Sequence, residues 1–431
     1  MGRRVRALAL GASAWGLIAS PSWAQTPQAD SGHTAWMLTA TALVLFMTLP
    51  GLALFYAGLV RAKNVISVMM QCVAIACVAS LLWLFGLYSL AFTDADSPLI
   101  GGLSKAMLLG VPRDAVAGQI PESVFFMYQM TFAIITPALI IGAYVERVKF
   151  TAVLMFSTLW LLLVYAPVAH WVWGGGWLAD WGVMDFAGGL VVHATAGAAA
   201  LVFAFMLGPR DGFPNEIHTP NNPGMTMIGA AMLWVGWFGF NAGSALLADA
   251  NAGMAMTATH LSAATAGLVW AGIEWVRFGK PSMVGAVTGV VAGLATVTPA
   301  AGFIGPIGGV VLGTLGAGVC FYAVTQVKQR WRIDDSLDVF AVHGVGGILG
   351  SLLVAFLASP ALSGTGYPVT HGAWGQFGVQ LVGVVATVMW SAIASAGILW
   401  LTRRAVGLRA SREDIQEGLD LAQHGEQLLS H

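Results

Sequence analysis

Residues 186–207 read FAGGLVVHATAGAAALVFAFML, a run of 22 residues whose one ionisable side chain is His193. A helix that crosses a membrane needs about 20 consecutive apolar residues, so this stretch predicts a transmembrane helix. Glycine and alanine recur through it, and helices in lipid associate where small residues let their backbones approach closely. The stretch therefore indicates a helix packed inside a bundle, with an imidazole held within the membrane.

The whole chain shares this apolar character. Of its 431 residues, 57% are hydrophobic and 9% are charged, against roughly 25% charged in soluble domains. A soluble fold could not cover its surface with so few charges, and intrinsic disorder requires low hydrophobicity with high net charge. The net charge of −1 gives no reason to expect a nucleic-acid partner. The three cysteines lie in apolar runs without metal-ligand spacing, so we expect no metal or cofactor.

The first 24 residues are typical of a secretory signal peptide. Three arginines precede a short apolar core over residues 7–20, and Ser22 and Ala24 form a small-x-small cleavage site. The alternative, a retained first helix, is less favoured because the core is short for a membrane span. We therefore predict cleavage after Ala24, which places the mature N-terminus outside the cytoplasm.

Eleven apolar segments follow and predict eleven transmembrane helices, with the C-terminus inside. Cytoplasmic loops should then be enriched in lysine and arginine. The predicted cytoplasmic loops and tail carry 14 such residues, whereas the predicted outer loops carry only Lys105 and Arg113. The predicted organisation is a membrane domain over 25–402 and a cytoplasmic tail over 403–431. The predicted spans lie near 35–60, 65–92, 122–145, 150–171, 186–207, 225–247, 251–276, 282–300, 303–327, 337–358 and 376–402.

Two histidines occupy matching positions in the fifth and tenth predicted spans. His193 and His343 are each followed four residues later by glycine, and an acidic residue, Asp185 or Asp338, precedes each near its helix start. Because five is odd, a second five-helix half must enter the membrane inverted, as in many transporters with a site near the midplane. We therefore predict an all-α membrane protein with an inverted five-helix repeat plus one extra helix. A lone buried histidine is more often structural, but a matching pair favours a shared functional site.

The other polar residues in or beside the spans support weaker expectations. A carboxylate at a helix start caps free N–H groups, so for Asp185 we expect structure and local electrostatics rather than direct binding of a substrate. His260 has no counterpart, and Glu274 lies beside Arg277 near a helix end, where it can pair or reach solvent. The polar tail is either a solvated end or a docking element for a cytosolic partner.

Aromatic residues concentrate at the predicted outer face. Trp171, Trp173, Trp177 and Trp181 surround three glycines, and most of them fit an interfacial aromatic belt. One tryptophan face beside a polar opening can also hold a small cation through cation–π attraction. A second outer motif, over residues 236–244, ends a span with glycines and offers the hydroxyl of Ser244.

These motifs together resemble a known family. The chain resembles the ammonium transporter (Amt/MEP/Rh) family, and specifically its bacterial Amt branch, from about residue 36 to the C-terminus. The tail segments over 406–409, 417–420 and 424–426 are also similar to the family. The motifs that carry the resemblance are FMTLPGLALFY (46–56), AHWVWGGG (169–176), DFAGG (185–189), GWFGFNAGS (236–244) and DDSLDVFAVHG (334–344).

The resemblance implies a homotrimer of eleven-helix subunits, each with its own pore and an inverted five-helix repeat. It implies a cytosolic PII signalling protein as the partner on the inner face and the tail. Two departures are visible: Tyr128 stands where the family often has another aromatic residue near the outer site, and His260 where related sequences usually carry asparagine. The implied site residues are Trp173, Ser244, Phe132 and Tyr128 for outer ammonium binding, Phe132 and Phe240 for the gate, His193 and His343 for the pore, and Asp185 near the recruitment site.

The expected function is therefore ammonium uptake across a bacterial inner membrane by a transporter, not an enzyme. Ammonium would be recruited at the aromatic site and deprotonated at the phenylalanine gate. Ammonia would then cross an apolar pore while His193 and His343 relay the proton, since imidazole both donates and accepts hydrogen bonds. The alternatives are an ammonium sensor that signals through a cytoplasmic partner and a membrane haem protein with the two histidines as axial ligands.

Overall fold

The computed structural model describes residues 28–93, 97–216, 219–368 and 372–428. The predicted signal peptide lies outside the described residues. The described chain is almost entirely helical, apart from a small hairpin in which β1 (Val116–Ala117) pairs antiparallel with β2 (Ile120–Pro121). The helices are α1 (Ser31–Leu59), α2 (Ala62–Phe92), α3 (Glu122–Tyr144), α4 (Phe150–Asp180), α5 (Gly189–Leu207), α6 (Pro223–Gly243), α7 (Ala250–Phe278), α8 (Met283–Val297), α9 (Pro306–Arg330), α10 (Phe340–Leu357), α11 (Gly372–Ala405), α12 (Arg412–Glu417) and α13 (Leu419–His424).

Nine of the described helices are long and apolar enough to cross a membrane. They are α1 to α6 and α9 to α11. Helices α7 and α8 lie where the sequence predicts its seventh and eighth spans. The structure therefore shows a multi-pass helical membrane protein, as the composition predicts.

The two histidine-bearing helices begin three residues later than predicted. Helix α5 begins at Gly189, because Gly188 has a left-handed backbone with φ 115°. Helix α10 begins at Phe340, because Asp338 has φ 63°. Each helix opens with a π-helical turn that carries the histidine, and such turns are frequent at functional sites.

The chain after Ala405 folds back onto the ends of several helices, a surface we call the tail face. The Asp420 carboxylate accepts the N–H groups of Ile66 and Ser67 at the start of α2. The Leu419 N–H donates to Asn64, and a β-bridge joins Arg409 to the residues after α3. The described part of the tail thus packs against its own protein.

Helices α5 and α10 run in opposite directions and cross at glycines. The end of α5 lies near the tail, and so does the start of α10. At the crossing the backbone of Gly197 packs directly on that of Gly344, with no room for a Cβ atom. Gly347 packs equally closely on His193 and on the carbonyl of Gly189. The glycines noted in the sequence therefore bring the two imidazoles together.

Candidate functional site

An open cavity of about 300 Å³ lies at the face opposite the tail. We call it the aromatic cavity, because aromatic rings form most of its wall. The ends of α2, α4 and α6 and one face of α3 supply these residues. Its lining residues are Phe92, Phe125, Gln129, Phe132, Val172, Trp173, Phe186, Ser244 and Leu246.

Hydrogen bonds hold the polar edge of this cavity in place. The indole N–H of Trp173 donates to the Asp185 carbonyl at 2.8 Å, and the Trp173 ring meets Phe132 edge-on at 5.8 Å. The Ser244 hydroxyl donates to the Phe240 carbonyl at 2.8 Å. Its oxygen lone pairs thus remain available, so the cavity presents an aromatic face and an oxygen acceptor side by side.

Tyr128 lies behind Ser244. Its hydroxyl is within 3.0 Å of the carbonyls of Gly239 and Phe240 and lies 3.2 Å from the Ser244 hydroxyl. The side chain is fully buried and its ring packs edge-on against Phe132. The structure thus places Tyr128 as a support for Ser244 and Phe132.

Phe132 and Phe240 close the floor of the aromatic cavity. Their rings stack at 4.2 Å with an angle of 24° between planes. Both side chains are almost completely buried. A hydrated ion has no open route between the stacked rings, so they separate the aromatic cavity from the space below.

Below the rings, the two imidazoles face each other in an apolar passage. The Nδ1 atoms of His193 and His343 are 3.2 Å apart, and the rings are nearly parallel at 16°. One Nδ1 must donate and the other accept, so only one of the two carries a hydrogen. Trp237 stacks on His193 at 5.5 Å. The space beside them measures about 10 Å³, which is close to the room that one water molecule needs.

A second cavity of about 180 Å³ continues from His343 to the tail face. Tyr56, Ser336 and Asp338 contribute polar groups to its wall. The passage and this tail-side cavity share three lining residues, which are Phe55, Val291 and His343. The aromatic cavity, the passage and the tail-side cavity therefore follow one another in the described chain, and the stacked rings separate the first from the other two.

Asp185 caps the helix that carries His193. Its carboxylate accepts four backbone N–H groups, from Gly188, Gly189, Leu190 and Val191, at 2.6 to 3.1 Å. The carboxylate is therefore fully occupied by the helix start. Asp185 contacts the aromatic cavity through its backbone carbonyl, which accepts the Trp173 indole N–H. In this geometry Asp185 caps the start of α5.

The residue that corresponds to Asp185 at the start of α10 is Asp335, which was not predicted from the sequence. Asp335 accepts the N–H groups of Val339 and Phe340. Burial and the nearby Asp338 carboxylate raise the pKa of Asp335 to about 7. Asp338, the residue expected here, instead pairs with Lys328 at 2.8 Å. The missed signal was the spacing, since Asp185 and Asp335 each lie eight residues before the histidine.

The last long helix, α11, holds the cap of α5 in place. The Gln380 side chain accepts the Met184 N–H and donates to the carbonyls of Met184 and Ser351, all within 2.8 Å. Gln376 donates to the Gly182 carbonyl at 2.9 Å. Both glutamines are buried, so α11 fixes the backbone directly before Asp185.

Buried charges form a network at the tail face. Asp334 contacts Arg210 at 2.9 Å and Arg147 at 3.8 Å, and Glu146 contacts Arg61 at 3.1 Å. Burial opposes the ionised form of Asp334, but Arg147 and Arg210 hold the pKa of this carboxyl below its usual value. The Arg147 carbonyl also accepts the Ala410 N–H of the tail. This charge network therefore joins the loops of the tail face to the docked tail.

The remaining residues considered in the sequence do not line the two cavities or the passage. His260 is exposed on α7 and packs against Trp234 and Phe238. Glu274 accepts the Ser282 N–H at 2.7 Å near the start of α8. Trp171, Trp177 and Trp181 contact one another beside the aromatic cavity.

Apolar helices, an aromatic cavity and a narrow passage lined by two imidazoles define a membrane protein that passes a small solute. The chain belongs to the ammonium transporter family, whose model matches residues 35–428. The family resemblance noted in the sequence is thus confirmed.

Individual relatives are similar over nearly the whole chain. An ammonium transporter of Aquifex aeolicus is 44% identical, and the match covers 95% of this chain and 96% of the relative. Ammonium transporter Amt1 of Archaeoglobus fulgidus is 44% identical over 92% and 99% of the two chains. The crystal structure of Candida albicans Mep2 matches with a TM-score of 0.83 at 36% identity, covering 90% and 88%. A solved sensor Amt protein matches with a TM-score of 0.85 at 27% identity, covering 91% and 98%.

Proposed function

We propose that this protein transports ammonium across a bacterial inner membrane, from the aromatic cavity to the tail-side cavity. The observation that carries the proposal is the contact between His193 and His343 in an apolar passage directly below two stacked rings. Its relatives are named ammonium transporters, which supports the choice of substrate. The protein acts as a transporter and not as an enzyme.

Recruitment takes place in the aromatic cavity. Ammonium is a small cation that donates four hydrogen bonds. The face of Trp173 and the ring of Phe132 attract its charge through their π electrons, and the Ser244 oxygen accepts one N–H. Tyr128 fixes the position of Ser244, and Asp185 fixes Trp173 through its carbonyl.

Deprotonation occurs at the gate formed by Phe132 and Phe240. An intact charge in an apolar membrane interior costs at least about 2.5–3.5 kcal/mol. Loss of hydration disfavours the charged form of an ionisable group, so ammonium entering the stacked rings transfers a proton to the imidazole of His193, which lies directly below Phe240. Neutral ammonia then crosses the passage, which has room for about one molecule of this size.

While ammonia crosses the passage, His193 and His343 transfer the proton separately. The proton passes along the bond between the two Nδ1 atoms, since each imidazole both donates and accepts. It rejoins ammonia in the tail-side cavity, where Asp338 supplies a carboxylate beside Lys328. Potassium has no proton to release, so this route rejects it although its size is similar.

The assembly and orientation follow the family pattern. We propose eleven transmembrane helices in an inverted five-helix repeat plus α11, with the N-terminus outside, the C-terminus inside and a signal peptide cleaved after Ala24. Three subunits form a homotrimer, each with its own pore. A cytosolic PII protein docks on the tail face, and the docked tail supports this. Truncation at Arg403 is expected to abolish co-purification with PII, and unchanged co-purification would exclude the tail.

Uptake of labelled methylammonium into transporter-deficient cells tests the function and separates transport from sensing alone. In purified, reconstituted protein, His193→Ala and His343→Ala are each expected to reduce ammonium-dependent current at least about tenfold, because a relay step contributes 10²-fold or more in comparable proton transfers. His260→Ala is the control, since His260 is exposed and lies away from the route. Normal currents in both pore variants would rule out the relay.

A further inference from the structure

The His193 ring has little to hold its plane apart from a neighbouring tryptophan. Its Nδ1 atom bonds to His343, and its Nε2 atom has no hydrogen-bond partner within the described part of the chain. The torsion that turns an imidazole about its Cβ–Cγ bond has broad energy wells, so one hydrogen bond leaves the ring free to tilt. The Trp237 ring lies against His193 at 5.5 Å, with 20° between the planes, and this stacking restricts the tilt.

Trp237 is held in turn by Thr298, the residue that follows α8. The indole N–H of Trp237 donates to the Thr298 Oγ1 atom at 2.9 Å, and the Thr298 hydroxyl donates to the Leu294 carbonyl at 2.7 Å. Both side chains are buried, Thr298 completely. A buried indole N–H needs an acceptor. Because the hydroxyl hydrogen is already bonded to Leu294, Thr298 presents its oxygen to the indole as that acceptor.

The chain next to Thr298 is fixed against both histidine-bearing helices. Pro299 packs on Gly189 at the start of α5 and on Gly350 of α10, and neither glycine has room for a Cβ atom. Thr298 therefore keeps its position relative to the two helices that carry the imidazoles. The hydrogen bond from Trp237 transfers this fixed position to the stacked ring.

We infer that Thr298 is a positioning residue for the proton relay, which it aligns by holding Trp237 against the His193 ring. This inference rests on the proposed function, because it assigns a role to Thr298 in the same relay. Transfer between the two Nδ1 atoms requires that they stay within hydrogen-bond distance. Thr298 itself does not line the passage, so it acts through Trp237 and not on the solute.

A positioning role below the gate changes the rate of transport and not the binding of the cation. Neither Thr298 nor Trp237 lines the aromatic cavity, so half-saturation should stay the same when their hydrogen bond is lost. A displacement of about 1 Å at a reacting group can lower a rate about 10²-fold. Loss of the bond should therefore lower the maximal current while KM is preserved.

The experiment measures ammonium-dependent current per amount of reconstituted protein in Thr298→Val. Valine has nearly the same shape as threonine but offers no acceptor. We expect the maximal current to fall on the order of tenfold, with KM within about twofold. Thr298→Ser keeps the hydroxyl and should keep most of the current. The matched control is Thr387→Val, because Thr387 is also buried and donates to the carbonyl four residues earlier, but lies on α11 and does not line the passage. Its current should equal that of the wild type.

Trp237→Phe removes the same hydrogen bond from the other side and covers the case in which Thr298→Val does not fold. Phenylalanine keeps an aromatic ring without the N–H, so the maximal current should again fall. If Thr298 acts through the indole, adding Thr298→Val to Trp237→Phe should change the current by less than about twofold. A purely structural threonine would lower the current equally in both backgrounds.

The inference is overturned if Thr298→Val or Trp237→Phe keeps the wild-type current, or if KM changes in place of the maximal current. It is also overturned if Thr298→Ser is as impaired as Thr298→Val, or if Thr298→Val keeps its full effect beside Trp237→Phe. Normal currents in both His193→Ala and His343→Ala would instead refute the relay of the proposed function, and the positioning role with it.

Discussion

The two histidine helices begin in the same way at opposite faces, yet their surroundings differ sharply. At the face opposite the tail, Asp185 accepts four N–H groups and the neutral side chain of Gln380 holds the backbone before it. At the tail face, Asp335 accepts two N–H groups and lies next to Asp334, which is part of a buried charge network. Beyond the capping carboxylate, the first helix start is supported by neutral amide hydrogen bonds and the second lies beside ion pairs.

This difference matches the tasks that the two ends perform in the proposed function. A fixed charge network around the aromatic cavity would compete with its neutral oxygens and rings for an incoming cation. Amide and carbonyl groups position Trp173 without introducing a further net charge. At the tail face, ion pairs join separate loops to the docked tail, and Arg147 contacts both. The two helix starts thus share a capping carboxylate and differ in the groups that surround it.

The largest expected loss of stability comes from removing a carboxylate from the charge network at the tail face. Asp334→Asn leaves Arg147 buried without its carboxylate, and loss of one partner of a buried ion pair costs about 3–5 kcal/mol. We expect a markedly lower melting temperature in detergent and release of the tail, measured as faster proteolysis after Ala405. Asp211→Asn is the control, because the Asp211 carboxylate is mostly exposed and its contact with Arg409 is long, at 3.8 Å. Equal stability of the two variants would contradict a stabilising network.

Removing the amide hydrogen bonds beside the start of α5 should lower stability less, and it should also weaken substrate binding in the aromatic cavity. Gln380→Met leaves the Met184 N–H and carbonyl without their partner, at about 1–3 kcal/mol for a buried unsatisfied group. Because Met184 precedes Asp185, whose carbonyl holds Trp173, we also expect a higher KM for methylammonium. Gln416→Met in the exposed part of the tail serves as the control. A wild-type KM in Gln380→Met would show that α11 does not position the aromatic cavity.

The last expected effect is a pH dependence specific to the tail face. The pKa of Asp335 is about 7 when folded, against 3.8 for the free side chain. A carboxyl with a raised pKa binds its proton more tightly in the folded state. Its contribution to stability is therefore complete below pH about 4 and is lost as pH rises to about 7. The melting temperature of the wild-type protein should fall more steeply across this window than that of Asp335→Asn, and parallel curves would contradict the raised pKa.

The sequence predicted the features that depend on local pattern. Apolar runs located the helices, and the repeated position of His193 and His343 brought out the pair that the structure holds 3.2 Å apart. Asp335 was missed because proximity to the helix start favoured Asp338, whereas the cap depends on backbone geometry. Gln380 acts on Met184, which lies 196 residues earlier. No local pattern encodes such a contact.

The crossing of α5 and α10 also constrains how the molecule can move. Gly197 and Gly344 touch through their backbones, and Gly347 packs on the turn that carries His193. Many transporters work by rocking one repeat against the other around a central site. Rocking here would separate the two halves at this crossing and pull the imidazoles apart. For the proposed transport, the crossing therefore favours a stationary frame, in which the solute moves past the protein and the barrier at the rings would set the selectivity.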